Sequence, residues 1–343
     1  TCEIDPQKKY YRSNGHGNPD IRNDLFISNG RTPWAYRPCG SAISPDDDHV
    51  PYPRICARGG LVSAALPNSL PALAAAVALD AMQTSRPDGK TIMMFHDMTY
   101  LGVSFKAYDD IYKLENMEIG PRVAQNPGAA WAAYLDAPYN TMAEIPEYLK
   151  ANPEAKVRMA CEAGGVSHIG FIAFWEWVES KYGKDVADRI VVIVGGSTSD
   201  KIQLLIDRNA DVIFADYTSL LDYTKVGDKK IAMKFVGLLD NVEGIDVPSY
   251  ADQGITLADG SEFRFSKDFL IYLPKNFPAE MVKALDDGMK AVSEDPQFKA
   301  DMAKMSYRGG YLDSAAAKKF IYQKRDSLQG LIDSAPSLDD LVM

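Results

Sequence analysis

The sequence predicts an α/β protein on three observations. Ile190 to Val194 is an unbroken run of β-branched apolar residues, the pattern of a strand covered on both faces. Segments of this kind alternate along the chain with segments whose apolar residues recur at helical spacing. The turns between them are made of Gly, Ser, Asp and Pro, which end strands and open helices. Strand–turn–helix–strand alternation belongs to folds with helices packed on a sheet. The 343 residues allow two domains of roughly 150 residues or one large one.

Residues 1 to about 60 carry turn chemistry, at 14–19 and 37–40, and little periodicity. Pro71 to Gln83 is predicted as a helix, Pro87-Asp88-Gly89 as a turn, and Thr91 to Phe95 as a short strand. Thr141 to Lys150 is a predicted helix with Thr141 and Glu144 spaced as a capping box. Lys156 to Ala160 is a predicted strand, and Ser167 to Tyr182 a helix with Ile169, Ile172, Phe174 and Trp177 on its apolar face. After the strand 190–194, a helix is expected over 200–209, a strand over 210–215 and a strand over 269–273. Helices over 278–294, 296–305 and 314–332 complete the chain.

Net charge is −10 without a clustered basic face, which argues against a nucleic-acid partner. No apolar run reaches the roughly 20 residues of a membrane span. The four cysteines contain no CxxC pair, so neither zinc nor redox chemistry is expected. An even count suits an oxidising compartment, and Cys39 and Cys56, flanking a Pro- and Asp-rich loop, are the expected disulfide. The chain is read as the mature form of an exported protein, without its signal peptide.

Several candidate chemistries weaken on their spacing. Gly195-Gly196-Ser197-Thr198-Ser199 fits neither GxGxxG nor GxxxxGK[ST]. Ser167 lies in a near-match to GxSxG with one residue too many before Gly170. His96, Asp97, His168 and Asp216 could make an acid/base or metal cluster, but no HxH or HxxxH pair supports a metal. For His168 the expected role is a helix-start residue bonded to local backbone. What remains is the set of strands ending at Phe95, Ala160 and Val194, each running into small or polar residues and then a helix. Loops of that kind collect ligands at the carboxyl ends of strands, and their N–H groups and helix dipoles suit a carboxylate. Binding without catalysis is therefore predicted, with no cofactor.

From Pro87 onward the chain resembles the receptors of tripartite tricarboxylate transporters. The residues that carry the resemblance are Pro87-Asp88-Gly89-Lys90-Thr91-Ile92, Met142 to Ile145, Lys150-Ala151-Asn152-Pro153 and Glu162 to His168. It continues through Gly196 to Leu205, Ala210 to Phe214, Val247-Pro248-Ser249 and Pro274 to Pro278. The resemblance implies a two-lobed periplasmic binding fold of type II, each lobe a mainly parallel sheet flanked by helices. One lobe would hold 1–136 and 237–343, with an atypical segment 1–60, and the other 137–236.

It also implies a periplasmic, monomeric receptor that closes on a small organic carboxylate and delivers it to the membrane subunits of a transporter. Carried over by position, ligand contacts would come from His96, Asp97, Met98 and Thr99 in the first lobe. The second would supply Glu162, Ala163, Gly164, Gly165, Ser167, Ser197, Thr198 and Asp216. Arg58-Gly59-Gly60 and Leu66 to Ser69 are both candidates for the family's first ligand loop. Glu162 stands where the family tends to have glycine and would repel a bare carboxylate. The ligand is then expected to carry an amine or hydroxyl, or Glu162 to point away. The competing readings are a secreted hydrolase or lyase using His96, Asp97, His168 and Glu162, and a ligand sensor of the same fold.

Overall fold

The computed structural model describes residues 10–11, 26–28, 33–35, 70–225 and 232–336. Cys39, Cys56 and both candidates for the first ligand loop lie outside the described residues, whereas Cys161 is buried with a free thiol. Short strands β1 (Tyr10–Tyr11), β2 (Phe26–Ser28) and β3 (Pro33–Ala35) form an antiparallel ribbon. Helix α1 (Leu70–Thr84) leads to β4 (Met93–Phe95) and α2 (Met98–Ser104). Strands β5 (Glu118–Asn126) and β6 (Ala129–Tyr134) follow, separated only by Pro127-Gly128.

The chain then alternates as the sequence predicts: α3 (Ile145–Ala151), β7 (Val157–Cys161), α4 (Val166–Tyr182), α5 (Lys184–Ala187) and β8 (Ile190–Val194). Next come α6 (Thr198–Ile206), β9 (Val212–Asp216), α7 (Tyr217–Leu220) and β10 (Met233–Leu238). Strand β11 (Lys267–Leu273), helices α8 (Ala279–Glu294) and α9 (Pro296–Lys304), β12 (Arg308–Leu312) and α10 (Ser314–Ser334) complete the order.

Two main sheets result. The first has the order β12-β5-β11-β4, and the second β10-β6-β9-β7-β8. In the second, β7 is parallel to both β8 and β9, and β6 runs antiparallel between β9 and β10. Four of its strands therefore share one direction, as expected of a mainly parallel lobe.

The first sheet departs from that expectation, since all three of its described pairings are antiparallel. The reason is connectivity. Strand β5 is flanked by β11 and β12, which arrive more than 140 residues later, and no βαβ unit links described neighbours. Strand β6 hydrogen-bonds in the second sheet, so the chain passes from the first sheet to the second at Pro127-Gly128.

Local chemistry explains several elements. Strand β5 tolerates Pro121 because Leu270 faces Arg122 and Tyr272 faces Ile119, leaving Gly120 and Pro121 together opposite Ile271. That bulge is where a strand can lack an N–H donor. Strand β6 reads Ala-Ala-Trp-Ala-Ala-Tyr and is buried along its whole length. Its small side chains let layers approach on both faces, with Trp131 set edge-on against Phe214. Helix α4 is buried almost all round from Val166 to Val178 and is a core element. A methyl at its Gly170 would stand 3.0 Å from Leu239.

The expected capping box at Thr141 does not form. Thr141 starts a single 3-10 turn, Met142–Glu144, and Glu144 accepts the Asn140 N–H at 2.6 Å instead. Ser197 and Asp200 do make a complete reciprocal box at α6.

Candidate functional site

The seam between the sheets gathers most of the residues the sequence singled out. On the first sheet, β4 ends at Phe95 and the chain turns through His96 and Asp97 into α2. On the second, β7 ends at Cys161 and turns through Glu162, Ala163, Gly164 and Gly165 into α4. Gly164 has φ +73°, and a methyl there would lie 2.8 Å from the Ala107 side chain. Only glycine serves both demands, so the α4 turn sits directly on the turn after α2.

His168 is the pivot of that contact. Its Nδ1 accepts the Gly164 N–H at 3.2 Å, and its ring stacks on Phe105 at 3.9 Å. The local backbone bond is the role expected for it. Burial lowers its pKa to about 4, so the ring is neutral and carries its proton on Nε2. Among the described residues that buried Nε2 has no hydrogen-bond partner. The Tyr108 hydroxyl is likewise buried and unpartnered, and burial with the nearby Glu162 raises it to about 12. Two neutral donors are thus left unused beside the N-terminus of a 17-residue helix.

Ser167 is turned inward to its own loop, accepting the Glu162 N–H at 2.8 Å. Glu162 does not stand alone, since the buried Lys201 ammonium lies 3.8 Å from its carboxylate and balances its charge. Lys201 is therefore a residue that sequence reasoning missed, and its place on α6 four residues after Ser197 is the only hint. Ser197 spends its hydroxyl on the α6 cap, and Thr198 follows it, half-buried in the first turn. The strand ends the sequence grouped together are divided: β7 and β8 neighbour each other, and β4 belongs to the opposite sheet.

The second cluster lies where β4, β5, β9 and β11 meet. His96 stacks on Phe95 and meets Phe269 edge-on, and its Nδ1 accepts the Met98 N–H. Burial, then the charge of Lys267, lowers its pKa to about 3. Asp216, at the end of β9, accepts from the Lys267 ammonium and from the Asn126 amide at 3.2 Å. Lys267 and Asn126 belong to the first sheet, so Asp216 ties the sheets together beside the β5–β6 crossing. Met98 is half-buried, and Thr99 is buried with its hydroxyl on Tyr272 at 2.8 Å.

Asp97 has a different task. It is fully buried and accepts from Lys324, the Tyr100 hydroxyl and the Asp268 N–H. Lys324 also bonds Asp268, which Arg122 and Gln125 hold from the other side. These two acids and two bases form a neutral, closed network under the seam. Among the described residues, no three His, Cys, Asp or Glu side chains converge to hold a metal ion.

The sequence profile of the tripartite tricarboxylate transporter family receptor matches residues 66–335. The chain belongs to this family. Solved structures share its fold: the periplasmic binding protein BugD superposes with TM-score 0.59 at 19% identity, over 79% of this chain and 85% of BugD. MatC from Rhodopseudomonas palustris, with bound malate, gives 0.58 at 13% identity over 76% and 84%. An R. palustris protein with adipate gives 0.59 at 12% identity over 76% and 82%. A search of curated proteins finds no match.

Proposed function

We propose that this receptor captures a small organic carboxylate between two lobes in the periplasm and presents it to the membrane subunits of a tripartite transporter, without chemical turnover. The first lobe is built on the sheet β12-β5-β11-β4 and the second on β10-β6-β9-β7-β8. Malate in MatC and adipate in the second R. palustris protein support this ligand class. One observation in this chain carries the reading: the buried Nε2–H of His168 beside the α4 N-terminus, unpartnered among the described residues. A neutral donor and helix-end N–H groups suit an anion. Among the predicted contacts, the reading keeps His96, Met98, Glu162, Ala163, Gly164, Gly165 and Thr198 as the residues that would meet the ligand. Asp97, Thr99, Ser167 and Ser197 spend their side chains on the scaffold.

Delivery requires the two lobes to close over the acid and so form the surface the membrane subunits recognise. Calorimetric titration with a panel of mono- and dicarboxylates tests the ligand class, and small-angle scattering with and without the tightest binder tests closure. Micromolar binding with a decrease in radius of gyration is expected. No binding across the panel would overturn the reading.

A further inference from the structure

We propose that Lys267 is the cation that recognises the ligand carboxylate, and that Asp216 is its partner when no ligand is bound. This rests on the carboxylate reading above and assigns the charge recognition within it to one residue pair. Lys267 opens β11 and its side chain is 11% exposed, with its ammonium held against Asp216. An ammonium has three N–H donors. Lys324, the neighbouring cation, uses all of its own on Asp97, Asp268 and the Ser266 carbonyl. Lys267 has a single hydrogen-bond acceptor among the described residues, which leaves donors for a second anion.

The surroundings are those of a ligand wall. His96, Phe269 and Tyr307 form a continuous aromatic face, with Phe269 stacked on Tyr307 at 5.6 Å and meeting His96 at 5.7 Å. Tyr307 feels the Asp216 charge and bonds Asn126, and burial raises its pKa, so it stays a neutral phenol. His96 stays neutral as well. Lys267 thus supplies the positive charge of this face, and Asp216, 31% exposed, competes with any incoming anion for it. Asp216 ends β9 and α4 follows β7, the parallel neighbour of β9, so a carboxylate on Lys267 would lie at the same end of the second sheet as His168. The charge-assisted bond is stronger than those from neutral donors.

Opposite signs for the two partners separate this role from a structural tie. Isothermal titration with malate and with adipate would be run on the wild type, Lys267→Met, Lys267→Arg and Asp216→Asn. Lys267→Met should weaken binding of both acids about tenfold or more, Lys267→Arg should restore most of it, and Asp216→Asn should tighten binding a few-fold. Circular dichroism melts on each variant confirm that folded protein is compared.

Equal weakening by Lys267→Met and Asp216→Asn would overturn the proposal, because a tie between lobes is lost equally from either end. Unchanged affinity in folded Lys267→Met would overturn it too. A wild type that binds neither these acids nor any other of the carboxylate panel would instead overturn the carboxylate reading on which it rests.

Discussion

Replacing Lys324 by Met should cost about 3–5 kcal/mol, the usual price of removing one partner from a buried charge pair. Asp97 and Asp268 are 0% and 1% exposed, and the Lys324 ammonium is 2.6 Å from each. The variant leaves Arg122, 2.9 Å from Asp268, as the remaining cation of the network. Asp97 would keep only the Tyr100 hydroxyl and the Asp268 N–H.

Burial already raises the Asp268 pKa against the opposing pull of Lys324. Without that lysine it rises further, so the folded variant holds a proton more tightly than the unfolded chain. The deficit should therefore be largest at neutral pH and shrink as the pH falls toward the raised pKa. Urea denaturation at pH 7.5 and pH 5 reads both effects. A slope of about 3 kcal/mol per molar converts the loss into a midpoint shift of about 1 M or more. Adding Asp268→Asn should recover part of it through the shared network. A loss under about 1 kcal/mol, or one independent of pH, would refute the picture of a closed neutral network.

Three further outcomes follow from the seam. His168 and His96 have pKa values lowered to about 4 and about 3, so the unfolded chain takes up protons before the folded one does. Stability should be full above about pH 6.5 and fall as the pH drops toward 4, and His168→Gln should flatten part of that slope in pH-dependent melts. Gly164→Ala forces a side chain onto φ +73° and against Ala107, so it should cost about 1–3 kcal/mol in stability and weaken carboxylate binding measured by calorimetry. Lys201→Met exposes the seam to the unbalanced charge of Glu162; carboxylate affinity should fall several-fold and return when Glu162→Gln is added.

The alternating elements from 141 to 216 were legible because their signals are local. An unbroken β-branched run, apolar residues at helical spacing and glycine-rich exits each specify an element within a few residues. Strands β5 and β6 were not legible. Gly120-Pro121 looks like a turn until β11 supplies the bulge that accommodates it. Four alanines around Trp131 have helical propensity, and sheet packing overrides it. The capping box at Thr141 has the right spacing, yet Glu144 takes the Asn140 N–H instead.

Likewise, the sequence named His96, Asp97, Glu162, His168 and Asp216 as the residues worth watching, through their places after strand ends, where ligands collect, and through the family resemblance. It determined the α/β class, the turn chemistry around the seam and the family resemblance. Only the tertiary structure decided their separate roles. Partners for Asp97, Glu162 and Asp216 arrive from Lys324, Lys201 and Lys267, which lie 227, 39 and 51 positions along the chain. Coulomb attraction and desolvation depend on distance in space, and folding sets that distance without regard to separation in sequence.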